Sequence, residues 1–301
     1  MAAGRQASFL LVLALLAAPA CNREKRRVIG VVPKATSHLF WVTVEEGVRK
    51  AAKDFNVEVS WQGAASETDY ARQVQIVESM INRHVDGLAV AATERNILSS
   101  AIDRAMAAGI PVIVFDSGVE STNIVSFIAT NNYEGGVMAA REIAKALGGV
   151  GNVALMMHAP GSTSTMDREK GFEETLTKEF PSIKIVARQY SMSDRAKGRA
   201  AAENMLTANP QLGAIFASAE PGSVGASLAI QARGLAGKVK LVTFDSSESL
   251  LEDCRKGVLS AMLVQDPQRI GYEAVKAVVE KLDGKNPPKR MDLPPRVNSC
   301  P

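Results

Sequence analysis

Asp116 and Asp245 stand in two copies of one pattern. The first is Ile110-Pro-Val-Ile-Val-Phe-Asp-Ser117 and the second is Val239-Lys-Leu-Val-Thr-Phe-Asp-Ser246. Each is a short apolar run that ends in Phe-Asp-Ser. A run of this length, rich in β-branched residues and bounded by turn residues, predicts a buried parallel strand. Both carboxylates then fall just past the carboxyl end of a strand, the edge at which open α/β sheets bind ligands. One such Asp would be explained as the cap of the next helix. Two of them, in different halves of the chain, predict two similar lobes that close on one small polar molecule.

A second stretch adds to this chemistry. Pro33-Lys-Ala-Thr-Ser-His-Leu-Phe-Trp41 follows the first strand, with polar groups ahead of two adjacent aromatics. An aromatic ring can stack on the C–H face of a sugar, while carboxylates, amides and guanidinium groups take its hydroxyls in paired hydrogen bonds. Neighbouring residues on a helix face different ways, so one of Phe40 and Trp41 is expected to pack into its lobe.

The elements that must position these residues alternate regularly. Strands are expected over Val28–Val32, Val57–Trp61, Val85–Ala91 and Ile124–Ile128, besides the first Phe-Asp-Ser run. Helices are expected from Phe40 (with Val44, Val48, Ala51 and Phe55 on one face), from Tyr70 to Ile81 behind a cap in Ser66-Glu-Thr-Asp69, and over Asn96–Ala108. A second round follows. Its strands are Gly151–Met157, Ile183–Ala187, Gly213–Phe216, the second Phe-Asp-Ser run and Leu259–Gln265. Its helices are Tyr133–Leu147, Thr165–Phe180, Asp194–Ala208, Ser223–Arg233, one after the second Phe-Asp-Ser run, and Ile270–Leu282. Gly284–Pro295 is Pro-rich and irregular, a crossing strand or tail. Alternating strands and helices imply parallel sheets with right-handed crossovers, hence an α/β fold of two doubly wound lobes.

The 301 residues suffice for about two domains. A net charge of +3 with dispersed basic residues gives no stripe for nucleic acid, and no helix-turn-helix precedes the domain. Arg5 followed by the apolar Phe9–Ala18 reads as an export signal over residues 1–20, too short for a permanent membrane span. Ala17-Ala18-Pro19-Ala20-Cys21 resembles a bacterial lipoprotein signal with Cys21 as the lipidated residue, although Ala18 stands where such signals usually carry Leu. Ala18-Pro19-Ala20 also fits ordinary cleavage. Residues 21–27 would tether the domain. Cys254 and Cys300 could pair in an oxidising compartment; the alternative is a buried thiol and a free one in the tail.

No enzyme motif stands out. The first strand is not followed by Gly-x-Gly-x-x-Gly, no Ser sits in Gly-x-Ser-x-Gly, and His38, His84 and His158 lack metal-ligand spacing. No cofactor or metal is therefore expected. His84, at a helix end, reads as a surface residue. His158 ends the first strand of the second round, where it either faces the cleft or packs or caps a helix.

Over Val28 to about Val297 the chain resembles the substrate-binding proteins of sugar ABC transporters, the ribose-binding type. The marks are Val31-Val-Pro with Ser37-His-Leu-Phe-Trp41, Pro111–Asp116, Arg168-Glu-Lys-Gly-Phe172, Asp194-Arg-Ala-Lys-Gly198, Phe244-Asp245 and Val264-Gln-Asp-Pro-Gln-Arg-Ile-Gly271. The resemblance implies a receptor, not an enzyme. A small sugar or polyol would lie between lobes joined by a three-strand hinge and pass to an ABC permease. The ligand set it implies is His38, Phe40, Trp41, Asp116, Ser117, Arg168, Ser193, Glu220, Asp245 and Gln265. Phe40 and Trp41 would stack on the ring and the others would meet its polar groups. The lobes would be residues 28–130 with 266–294, and 131–265 with 295–301, crossing near Thr130-Asn131, Gln265-Asp266 and after Pro294. It also implies an extracytoplasmic, lipid-anchored monomer.

Three departures stand out. Ser117 replaces an Arg that many sugar-binding members carry. Ser193 replaces an aromatic, so a second stacking wall is lost. Ala219-Glu220 replaces an expected Asn. These favour a polyol, furanose or modified sugar as much as a ribose-like pyranose. Two other readings keep the same residues: a receptor for another solute or coupled to a signalling partner, and a sugar-acting enzyme with Asp116, Asp245 and His38 as acid–base groups, which lacks a positioned nucleophile.

Overall fold

The computed structural model describes residues 26–300. The expected export signal, most of the tether and Cys21 lie outside the described residues. Two six-stranded sheets organise the chain. The first is built from β1 (Val28–Val32), β2 (Glu58–Trp61), β3 (Gly87–Val90), β4 (Val112–Phe115) and β5 (Ser126–Thr130). Between and around these strands run α1 (Leu39–Asp54), α2 (Tyr70–Asn82) and α3 (Ser99–Ala107). The second is built from β6 (Gly151–Met157), β7 (Ile183–Tyr190), β8 (Leu212–Ala217), β9 (Lys240–Phe244) and β10 (Ala261–Val264). Its helices are α4 (Asn132–Leu147), α5 (Thr163–Glu179), α6 (Arg195–Ala208), α7 (Glu220–Ala232) and α8 (Glu248–Arg255). Then come α9 (Pro267–Leu282), β11 (Arg290–Leu293) and β12 (Arg296–Ser299).

The sheets run in the orders β2-β1-β3-β4-β5-β11 and β7-β6-β8-β9-β10-β12. They are the same doubly wound order written twice. Every pairing is parallel except β12 with β10. Both faces of each sheet are covered, which is why β3 and β4 are apolar and buried throughout. Each lobe has two core clusters, one per face: one around Trp41 and Phe115 and one around Met80 and Leu88 in the first, one around Phe172 and Phe216 and one around Met205 and Ile215 in the second.

The chain passes between the sheets three times. It leaves β5 for α4 at Asn131, leaves β10 for α9 at Gln265-Asp266, and leaves β11 for β12 at Pro294-Pro295. Thr130 Oγ1 donates to Gln265 Oε1 at 2.6 Å and so ties two crossings together. Cys254 and Cys300 form a disulfide that fastens the end of β12 to α8.

Several elements begin or end away from the sequence expectation. α7 begins at Glu220, three residues before Ser223, and α9 at Pro267, three before Ile270. Both carry Pro in the first turn, where its fixed φ and missing N–H suit a helix start. β7 runs on to Tyr190, past Ala187, because it is an edge strand whose side chains alternate inward and outward. β11 and β12 lie in or just after the stretch read as irregular.

The helices that carry the site meet through paired glycines. A Cβ on Gly136 of α4 would lie 1.9 Å from the Arg168 carbonyl oxygen, and one on Gly171 of α5 would lie 2.2 Å from that of Tyr133. In the first lobe, Gly47 of α1 and Gly271 of α9 meet Gln268 O and Val44 O at 1.9 and 2.2 Å. The same close crossing recurs in both lobes. Gly171→Ala is expected to force α4 and α5 apart. It should lower stability by about 1–3 kcal/mol in denaturant unfolding, the cost of overpacking a tight contact.

Candidate functional site

The carboxyl ends of both sheets face one cleft. As the lobes stand, the cavity left between them is about 30 Å³, room for little more than water. Asp116 and Asp245 both lie in it, one from each lobe. Both have left-handed backbone, with φ of 57° and 66°. That conformation is uncommon outside glycine and tolerated best by Asn and Asp. It turns each side chain from the end of its strand into the cleft. The Phe of each Phe-Asp-Ser run supports a site residue from below. Phe115 meets Trp41 edge-on, with ring centres 6.3 Å apart, and the Arg168 guanidinium stacks 3.7 Å above the Phe244 ring.

Of the residues named from sequence, His38, Phe40, Trp41, Asp116, Arg168, Glu220, Asp245 and Gln265 line the cleft. Phe40 is half-buried. Trp41 is only 2% exposed and packed in the lobe's core, so of the two aromatics it is the one turned inward; its Nε1 donates to Glu67 Oε1 at 2.8 Å. Ser117 and Ser193 lie outside the lining. Ser117 is buried where the lobes meet, its Oγ 3.0 Å from Thr163 Oγ1. The Ser164 N–H also donates to its Oγ, at 3.3 Å, so the hydroxyl is spent on the opposite lobe. Ser193, in left-handed backbone, is buried beside the start of α6. His84 is exposed, at the end of α2.

Sequence reasoning missed Lys34, Glu67, Ser164 and Thr165, which line the cleft as well, and left His158 open. Lys34 follows β1, so its place at the strand's carboxyl end was the available signal. Its Nζ lies 3.0 Å from Asp116 Oδ2 and donates to Ser162 and Ser164 of the opposite lobe at 3.1 Å each. His158 faces the cleft, with Nε2 2.9 Å from Glu67 Oε2. Gln73 of α2 fixes the loops after β1 and β3, donating to Pro33 O and Ala91 O and accepting from Thr93.

Charge in the cleft is tightly partnered. Burial raises the Glu67 pKa, but the charge and hydrogen bond of His158, the bond from His38 and the charge of Lys34 outweigh it, holding Glu67 well below the usual range. The bond to Glu67 raises His38. Burial raises Asp245, against the charge of Arg168 and the bond from Gln265 Nε2 to Asp245 Oδ1 at 2.6 Å. Burial lowers Arg168, whose Nε and Nη1 donate to Asn132 Oδ1 and Ser218 O at 2.8 and 2.9 Å. Behind the cleft, burial pushes Glu169 up to about 7, against hydrogen bonds from Ser218 Oγ and the His158 N–H.

Two lobes of like topology, with polar side chains converging from both on one cleft, define the class of two-lobed binding proteins. Comparison with known proteins agrees. The periplasmic binding protein domain family matches residues 29–286. The ribose import binding protein of Bacillus subtilis is 30% identical over 305 residues, covering 97% of this chain and 98% of the relative. The D-allose-binding periplasmic protein of Escherichia coli is 30% identical over 258 residues, covering 83% of each. A carbohydrate transporter solute-binding protein from Agrobacterium radiobacter, solved with D-arabinose, superposes with a TM-score of 0.89 at 31% identity, over 92% of this chain and 95% of that one. This chain belongs to the periplasmic binding protein family.

Glu169 gives a pH dependence of known sign. Its raised pKa means that the folded protein keeps a proton the unfolded chain releases near 4.5. Its contribution to stability is therefore lost as pH rises from about 4.5 to about 7. Glu169→Gln keeps an oxygen for Ser218 and the His158 N–H but does not titrate. Relative to wild type, the variant is expected to gain stability between pH 4.5 and pH 8, by no more than about 3 kcal/mol, in denaturant unfolding at the two pH values. An unchanged difference would place the titration elsewhere.

Proposed function

We propose that this protein is an extracytoplasmic receptor that holds a small sugar or polyol between its lobes and passes it to an ABC permease. The observation that carries the reading is the pair Asp116 and Asp245. They are delivered to one cleft by equivalent strand ends of two lobes, with Arg168 stacked beside them. Carboxylates and a guanidinium suit hydroxyl groups, which donate to the first and accept from the second. Phe40 supplies the half-buried aromatic face for a ring's C–H surface. The binding of ribose, D-allose and D-arabinose by relatives supports a monosaccharide-sized ligand.

The three crossings act as a hinge. A ligand touching both lobes favours the closed arrangement and shifts the population toward it. Cys21, lipidated, keeps a monomeric receptor beside its permease. Affinity is expected to be about micromolar, roughly −8 kcal/mol. The test is a thermal-shift screen against pentoses, hexoses and polyols, followed by calorimetry. A bound sugar at about 100 times its dissociation constant adds roughly 2.7 kcal/mol of stability. Asp116→Ala is expected to abolish the calorimetric signal while the variant still unfolds cooperatively. Unchanged binding by that variant would contradict the site.

A further inference from the structure

The seam between the lobes is closed by the protein's own polar groups. Lys34 Nζ donates across it to Ser162 Oγ and Ser164 Oγ at 3.1 Å each, Ser117 Oγ lies 3.0 Å from Thr163 Oγ1, and the Arg95 N–H donates to Gly161 O at 3.1 Å. Glu67 Oε2 meets His158 Nε2 at 2.9 Å. This last contact differs from the others in kind. Among the described residues it is the one pairing of an acidic with a basic side chain that runs from lobe to lobe. The rest stay within a lobe, Lys34 with Asp116 and Arg168 with Asp245 included.

Both partners are held in place by their own lobes. Trp41 Nε1 donates to Glu67 Oε1 at 2.8 Å, and His38 Nδ1 lies 3.4 Å from the same oxygen. Neither contact crosses the seam, so the carboxylate stays fixed when the lobes part. His158 follows the end of β6, and Glu169 Oε1 accepts its backbone N–H at 3.1 Å from within the second lobe. Groups fixed in advance lose little side-chain entropy on meeting, the cost that weakens an ordinary surface pair.

The contact belongs to closing alone. An ionised carboxylate only accepts, so His158 donates to Glu67 from Nε2 whether its ring is neutral or charged. With the lobes together the His158 and Glu67 side chains are 3% and 8% exposed. A hydrogen bond to a charged group is stronger than a neutral one, and breaking a buried one from one side is costly. Both carboxylate oxygens and Nε2 are thereby occupied within the protein. Apparent affinity scales with the population of the binding-competent arrangement, whatever the ligand.

We propose that Glu67 and His158 form a latch that favours the closed arrangement by itself, and so raises affinity for every ligand by one common factor without touching it. The inference rests on the hinged-receptor reading and adds to it, but not on which solute is bound. The first test needs no ligand. Spin labels on the exposed Thr122 and Ala196, one in each lobe, report the distance distribution in the full chain at pH 7. The unaltered latch gives a short component without sugar. His158→Leu leaves Glu67 facing an apolar side chain and shifts the distribution to longer distances. Glu67→Gln keeps an oxygen for Trp41 and removes the charge. Combined with His158→Leu it restores part of the short component, because no buried charge is left without its partner. Folding of each variant is checked by its thermal transition. The second test is calorimetry with D-ribose, D-allose and D-arabinose. His158→Leu lowers the affinity of each sugar that binds by the same factor, on the order of tenfold, and leaves the ratios between sugars unchanged. A ligand-free distribution without a short component, or one that neither variant alters, overturns the latch. A loss confined to some sugars makes His158 a ligand contact, which overturns the latch and keeps the receptor. If no carbohydrate binds the unaltered protein, the sugar reading fails, and the ligand-free distances still decide the latch.

Discussion

One buried carboxylate joins the two halves of this molecule. Glu67, from the loop before α2, accepts from Trp41 and faces His38 in its own lobe, and meets His158 of the other. A charge this deep is stable only when well partnered, and removing a partner from such a group typically costs about 3–5 kcal/mol. Much of the local architecture follows from supplying those partners. Trp41 turns inward with its Nε1 toward the carboxylate. His158 ends β6 and is held from behind by Glu169, which accepts its backbone N–H. Lys34, Ser162 and Ser164 close the same seam alongside. The lobes therefore meet through hydrogen bonds and charge rather than a continuous apolar core. Each lobe keeps its own core clusters, the arrangement expected of bodies that separate and rejoin.

The second organising feature is duplication. The same strand order, the same glycine crossings and the same left-handed Asp at a strand end occur in each lobe. Parallel order places every strand's carboxyl end on one edge, so one carboxylate from each half reaches the cleft without any special loop. The Phe before each Asp then does different work in the two lobes. Phe115 packs under Trp41, and Phe244 carries Arg168. The two Asp therefore work in different settings. Asp116 has the Lys34 ammonium, and Asp245 has the Gln265 amide with the Arg168 guanidinium farther off at 3.8 Å.

Much of this was legible in the chain. Strands buried on both faces read as unbroken apolar runs, so the alternation and both Phe-Asp-Ser ends could be placed from residues alone. Gly171 and Gly271, inside the family's motifs, are required by close backbone contacts between helices. Helix starts were less legible, because Pro221 and Pro267 open helices where a breaker was the natural reading. Glu67 was hidden for a different reason. Ser66-Glu-Thr-Asp69 reads as a cap, and Asp69 does cap α2 by accepting from the Arg72 N–H. The burial of Glu67 depends on partners thirty residues back and ninety ahead, which no local periodicity records. Ser117 and Ser193 show the converse. Ser117 follows a cleft residue and Ser193 precedes the cap of α6, yet neither lines the cleft.

The central claim is that a ligand held between Asp116 and Asp245 keeps the lobes together. The most direct measurement is the distance between spin labels on the exposed residues Thr122 and Ala196, one in each lobe, with Cys21 replaced and the Cys254–Cys300 disulfide intact. The account predicts that a saturating bound sugar narrows the distance distribution to its short component. A distribution unchanged by a sugar that demonstrably binds would contradict it.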